Sequence, residues 1–339
     1  MRVLVDAMSG DNAPLEIIKG AALAKKEYKE HELLLVGDEN IISDVAVKNE
    51  IDISGIEIIH SDTVITMEDS PLSVVRDKKD SSMSVGLKKL SLGEGDAFVS
   101  AGNTGALITG ATIIVRRILG INRAAIASIL PLTKPVLLMD SGANLTVSSD
   151  NICQFAYMGA KYMEKLYGID RPKIGLLNNG TEYNKGNALQ QESYQLLSES
   201  GLNFVGNVEA KEAPFGACDV LVTDGFTGNI FLKSVEGMGK FLLGTLKEVL
   251  TTNLVTKVST LTMKEKMREM KLRFDASEHG GAPLLGISKP VIKAHGSSNA
   301  KAVKNAIKQA IYYVNTGIIL EIAKQSSQIT KKETNKTEE

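Results

Sequence analysis

Six stretches of this 339-residue chain gather small polar and acidic residues around glycine. They are Asp6-Ala7-Met8-Ser9-Gly10-Asp11, Ser100-Ala101-Gly102-Asn103-Thr104-Gly105, Asp140-Ser141-Gly142-Ala143-Asn144, Asn178-Asn179-Gly180-Thr181-Glu182 with Lys185-Gly186, Asp224-Gly225-Phe226-Thr227-Gly228-Asn229, and His295-Gly296-Ser297-Ser298-Asn299. Glycine lets a backbone come close to an anion, and a helix starting behind it offers unpaired N–H groups and a partial positive charge. The Ser100–Gly105 stretch has both ingredients of a phosphate site. A tight turn capped by Asn103 or Thr104 explains the same residues, because turns favour these types in any case. Repetition at six places is what favours a shared site over six unrelated turns.

Several other chemistries lack their motifs. The chain has no GxxxxGK[ST], no GxGxxG after a first strand and no GxSxG, which argues against nucleotide, dinucleotide and serine-hydrolase chemistry. His31, His60, His279 and His295 show no ligand spacing, so no metal is expected. Cys153 and Cys218 stand far apart and read as small core residues, leaving covalent catalysis without a candidate.

The elements that must position these loops follow from the apolar pattern. Short Val/Ile/Leu runs alternate with longer helical segments, the pattern of βαβ units around a mostly parallel sheet. Strands are expected at Arg2–Ala7, Glu32–Val36, Ile56–Ile59, Ala97–Ser100, Ala125–Leu130, Val136–Asp140, Lys173–Leu177, Phe204–Val208, Val220–Thr223 and Val291–Ala294. Ser70-Pro71 and Ser148-Ser149-Asp150 are helix starts, the latter opening a helix to Tyr167. Ligands of open α/β sheets sit beyond the carboxyl ends of the strands, which is where the six stretches fall.

Composition is that of a globular protein, with 43% hydrophobic and 23% charged residues. A net charge of -1 argues against nucleic acid as a general partner. The apolar run Ala106–Val115 is too short to span a bilayer, and Met1–Asp6 reads as a strand and not a secretory leader. A cytoplasmic chain with one large α/β domain over residues 1–324, divisible into two lobes, and a disordered tail over 325–339 is the expectation.

In order, VDAMSGDNAP (5–14), VSAGNTGAL (99–107), MDSGAN (139–144), GLLNNGTEYNKGN (175–187), DVLVTDGFTGNIFLKSVEG (219–237), GGAPLLGI (280–287) and HGSSNA (295–300) resemble the bacterial acyl-acyl carrier protein:phosphate acyltransferase family, PlsX. The likeness runs to about residue 320, with departures at Ser9, where the family normally has glycine, at Ser141 and at Ala210–Glu212. It implies a Rossmann-like α/β/α fold similar to phosphotransacetylases and isopropylmalate dehydrogenases, a homodimer, and no cofactor. It further implies transfer of an acyl group from acyl carrier protein to inorganic phosphate, with the product passing to a membrane glycerol-phosphate acyltransferase.

Such a transfer needs no enzyme nucleophile, because phosphate itself attacks the thioester carbonyl. The protein must supply an anion cradle and donors for the developing oxyanion. The expected phosphate cradle is Ser100, Gly102, Asn103, Thr104 and Gly105 with Lys185, and Asn229 or Asn144 is expected near the carbonyl. Asp6, Asp140 and Asp224 repel phosphate, so they are expected to orient Lys185 or nearby N–H groups, or to cap helices. Gly10, Asp11, Asn178, Glu182, Thr227, His295 and Ser297 complete the candidate site. Asn103, Lys185 and Asn229 must then face one cleft.

The stretch Leu246–Phe274 reads as a basic amphipathic helical pair, with Leu254 and Val258 on its apolar side and Lys257, Lys264, Lys266, Arg268, Lys271 and Arg273 outnumbering its acids. It suits peripheral contact with an anionic membrane, the acidic carrier protein, or a dimer mate. Rival readings are a phosphotransacetylase using acyl-coenzyme A and a non-catalytic scaffold for carrier or membrane.

Overall fold

The protein is described by a computed structural model at residues 1–130, 132, 134–252, 263, 265–270, 272, 278 and 280–324. Two sheets organise it. In the first, β1 (Arg2–Asp6), β2 (Glu32–Gly37), β3 (Ile56–His60), β4 (Ala97–Ser100) and β12 (Val291–Ala294) run parallel, and β11 (Gly281–Leu285) lies antiparallel to β12 and to β5 (Ala125–Ile126). The order is β3-β2-β1-β4-β12-β11-β5. The second holds β6 (Ser128–Leu130), β7 (Val136–Met139), β8 (Ile174–Asn178), β9 (Phe204–Glu209) and β10 (Val220–Val222) in the order β6-β7-β10-β8-β9, with β6 antiparallel. The α/β class and the mostly parallel pairing agree with the sequence reading.

Between the strands run α1 (Leu15–Glu27), α2 (Glu39–Lys48), α3 (Ser82–Leu92), α4 (Thr104–Gly110), α5 (Ser149–Tyr167), α6 (Ala188–Glu199), α7 (Gly225–Leu250) and α8 (Ala300–Asn315). β1 and β4 each carry an unbroken apolar run, Val3–Val5 and Ala97–Val99, because helices cover both faces of the sheet, and all six residues are buried. One apolar cluster runs through both sheets, taking in Val5, Val99, Met139 and Val222.

The single strand expected at Ala125–Leu130 is two strands, one in each sheet, with Ala127 at the crossing. The run Ala125-Ile126-Ala127-Ser128-Ile129-Leu130 carries no glycine or proline to mark that crossing. β11 was not among the expected strands, and it holds Pro283, a residue that cannot donate to a ladder. The Pro283 carbonyl accepts the Ala127 N–H at 3.0 Å, which ties β11 to the crossing point between the sheets. Ser70 caps a short 3-10 helix at Pro71–Val74, and Ser148 with Asn151 forms a reciprocal cap at the start of α5.

Residues 246–250 are the last turn of α7, a helix that starts at Gly225, far earlier than the amphipathic stretch drawn from sequence. Lys266 and Arg268 are helical and exposed. Leu254, Lys257, Val258, Lys264, Lys271, Arg273 and the tail 325–339 lie outside the described residues. No helix among the described residues is long and apolar enough to cross a membrane.

Candidate active site

Two buried aspartates anchor the two sides of one cleft. Asp6, at the end of β1, accepts Ser82 Oγ at 2.7 Å through Oδ1 and Ser100 Oγ at 2.7 Å through Oδ2. Burial pushes its carboxyl above the ordinary range, and the hydroxyl donors pull against that rise. Ser100 Oγ in turn accepts the Gly102 N–H at 3.1 Å, which shapes the turn into α4. On the neighbouring strand Lys293 stands opposite Ser100, so Asp6, Ser100 and Lys293 form a row across β1, β4 and β12. Burial lowers the Lys293 ammonium to about 8, with Asp11 and Asp6 opposing.

Asp140 does the equivalent work after β7. Its Oδ1 accepts the N–H groups of Ile126, Gly142 and Ala143 at 3.1, 3.0 and 2.9 Å, and Oδ2 accepts Asn144 N and Nδ2 at 2.7 and 2.8 Å. Burial again raises the carboxyl while these donors oppose it. α7 begins hard against this loop: Asp224 caps it through the Thr227 N–H at 2.9 Å, and Gly225 N–H donates to Asn144 O at 2.8 Å. A Cβ on Gly228 would lie 1.9 Å from the Asp140 carbonyl oxygen, so no larger residue fits there. That close approach delivers the next residue, Asn229, to the cleft opposite Gly142.

The cleft between these two halves has a volume of ≈ 470 Å³. Gly102, Thr104, Asp11, Lys293, His295 and Gly296 line it from the first sheet, and Ser128, Ser141, Gly142 and Asn229 from the second. Met67, Ile126, Ile129, Leu232 and Ala282 give it an apolar side, and Lys233 and Glu236 of α7 also line it. The Ser128 and Ser141 hydroxyls bond each other at 2.6 Å, and Ser141 also donates to Ile126 O.

The fatty acid synthesis protein family matches residues 1–321. The chain belongs to that family. Proteins named phosphate acyltransferase from Acetivibrio thermocellus and Thermoanaerobacter pseudethanolicus are 48% and 45% identical to it, covering 93% and 96% of this chain and 94% and 97% of their own. The one from Clostridioides difficile is 41% identical with full coverage of both. Family membership makes this an acyltransferase. Among solved structures, phosphotransacetylases from Staphylococcus aureus and Streptococcus pyogenes share the fold at 17% identity, with TM-scores of 0.56 and 0.57 over 94% and 97% of this chain and 94% of theirs.

Of the candidate residues, the structure brings Asn229, Gly102, Thr104, Asp11 and His295 to the cleft wall. Others build that wall from behind. Asn103 is turned away: its Oδ1 caps the Ala106 N–H and its Nδ2 donates to the carbonyls of Thr66, Met67 and Asp69. Asn144 Nδ2 is spent on Ala124 O and Asp140, and Thr227 Oγ1 on Asp224. Asp6 and Ser100 are buried; a Cβ at Gly10, whose φ is 122, would crowd Ala101, and one at Gly105 would crowd Pro71. Ser297 Oγ lies 2.9 Å from His295 Nδ1.

The Asn178–Lys185 loop is not part of the lining. Asn178 Nδ2 donates to Lys185 O, Glu182 O accepts Asn207 Nδ2, and Lys185 Nζ is 3.8 Å from Glu182 with its side chain 48% exposed. Asn103, Lys185 and Asn229 therefore do not converge as the sequence reading requires; Asn229 alone of the three lines the cleft. None of the buried aspartates orients Lys185; each holds hydroxyl or backbone donors.

Lys293 was missed. It sits inside a four-residue strand, Val291–Ala294, where only its departure from an otherwise apolar run signals it. Both cysteines are free, and burial pushes their thiols up to about 11 at Cys153 and about 12 at Cys218. Thiols so held stay protonated and are poor nucleophiles. Among the described residues no group of three His, Cys, Asp or Glu side chains gathers to hold a metal.

Proposed function

We propose that this enzyme moves an acyl group from the thioester of acyl carrier protein to inorganic phosphate, releasing acyl phosphate and the free carrier. The carrying observation is that a glycine turn leading into a helix and the amide side chain of Asn229 line the same cleft from opposite sheets. At the start of α4 the Gly102 N–H is held by Ser100 Oγ and the Ala106 N–H by Asn103 Oδ1, which leaves those of Thr104 and Gly105, with no preceding turn to bond, for a phosphate. Phosphate oxygen then attacks the carbonyl carbon, Asn229 donates to the oxyanion, and the C–S bond breaks with its electrons on sulfur. A direct attack is supported by the cleft itself: its serine pair, Ser128 and Ser141, is tied into hydrogen bonds, and neither cysteine lines it. The apolar side at Met67, Ile129 and Leu232 suits the start of an acyl chain.

In this reading Lys185 meets the substrates from the rim of the second sheet. Phe226, Ile230, Met238, Phe241, Leu242 and Val249 leave an exposed apolar face on α7, which supports a homodimer and peripheral contact with a membrane, where a glycerol-phosphate acyltransferase takes the product. The test is phosphate-dependent release of thiol, run with acyl carrier protein and with coenzyme A thioesters. Release from the carrier thioester with formation of acyl phosphate is expected. Equal or better use of coenzyme A would favour a phosphotransacetylase, and no release from either donor would leave a scaffold.

A further inference from the structure

Resting on the acyl-transfer reading of the cleft, we propose that Lys293 grips the attacking phosphate from beneath the Gly102–Thr104 turn. The start of a helix offers only about half a unit of positive charge, too little by itself to balance a dianion. Lys293 and Lys233 are the lysines of the described cleft wall. Lys233 is exposed on α7, where water screens it. Lys293 is largely buried and paired in register with Ser100, the strand residue from which the turn departs. Its ammonium donates to the Ala294 carbonyl and, among the described residues, makes no ion pair. An ammonium has three donors, so two remain for a ligand in the cleft.

The charged groups that face Lys293 come from every side. Asp6 lies behind it, Asp11 and His295 beside it in the lining, and Lys233 and Glu236 on α7 line the same cleft. Asp6 and Asp11 favour the ammonium and burial disfavours it, leaving it poised at about 8. Below that pH Lys293 is cationic and holds phosphate; above it the charge is lost and phosphate binding weakens.

The experiment measures KM for phosphate and for acyl carrier protein thioester against pH in wild type, Lys293→Met, Lys293→Arg and Lys233→Met. Lys293→Met should raise the phosphate KM about ten- to hundredfold, the worth of a hydrogen bond to a charged group, while the thioester KM moves little. Wild type should lose phosphate affinity as pH rises through about 8. Lys293→Arg should recover part of that affinity and abolish the limb, since guanidinium stays charged. An unchanged phosphate KM in a folded Lys293→Met, or a rise that follows Lys233→Met instead, overturns the inference. If Lys293→Met does not fold, a Lys293→Arg enzyme that keeps the wild-type limb overturns it equally. Wild type that forms no acyl phosphate would defeat the acyl-transfer reading, and calorimetric binding of inorganic phosphate to wild type and Lys293→Met would still decide the role of Lys293.

Discussion

The two sheets each bury an aspartate at a strand end beside the cleft, and the two are held differently. Asp6 is gripped chiefly by side-chain hydroxyls, Ser82 and Ser100, while Asp140 is gripped by four backbone N–H groups and one side-chain amide. A hydroxyl can be removed without moving the chain, whereas backbone donors exist only if the loop is folded around the carboxylate. Asp140 is therefore the strut of its half, fixing the loop against which α7 and Asn229 are set. Asp6 is a more local device, joining the Gly102 turn through Ser100 to the strand that carries Lys293.

Substitutions at the two aspartates and their neighbours should separate these roles. Asp140→Ala takes the acceptor from five buried or part-buried donors, and a loss of about 3–5 kcal/mol in denaturant unfolding is expected, with activity lost alongside. A folded, stable variant would show that the loop stands without its strut. Asn229→Ala should leave stability nearly unchanged yet lower turnover by about two to three orders of magnitude in the thiol-release assay. Turnover close to wild type would take Asn229 out of the reaction. If Lys185 meets the substrates from the rim as proposed, Lys185→Ala should lower kcat/KM by about ten- to a hundredfold, as expected for a lost charge-assisted contact; unchanged phosphate KM and turnover would show that it makes no such contact. Ser100→Ala takes one donor from Asp6 and should cost about 1.5–3 kcal/mol, with some loss of phosphate affinity because Gly102 N–H loses its partner. If Ser100→Ala proves as disruptive as Asp140→Ala, the distinction between strut and local device fails.

Much of this fold could be read from the residues. Ala97–Ser100 and Val291–Ala294 are strands with the bounds the apolar runs suggest, and the turns after them do face the cleft. What local pattern cannot separate is an asparagine that binds from one that caps, because both need a short polar side chain beside a helix start. Asn103 and Asp224 proved to be caps, and Asn229, one turn into α7, reaches the cleft. The split at Ala127 and the strand around Pro283 depend on partners distant in sequence, which no local window contains. Lys293 was hidden for the same reason: a lysine in a short strand gains meaning only when β4 and β1 are laid beside it.

Crystals grown with the product acyl phosphate would show whether the turn after β4 and Asn229 serve one reaction across one cleft. The phosphoryl group is expected over the Gly102–Thr104 turn within hydrogen-bond distance of Lys293, and the acyl carbonyl oxygen beside Asn229 Nδ2. Product seated instead over the Asn178–Lys185 loop, with the cleft between the sheets vacant, would contradict it.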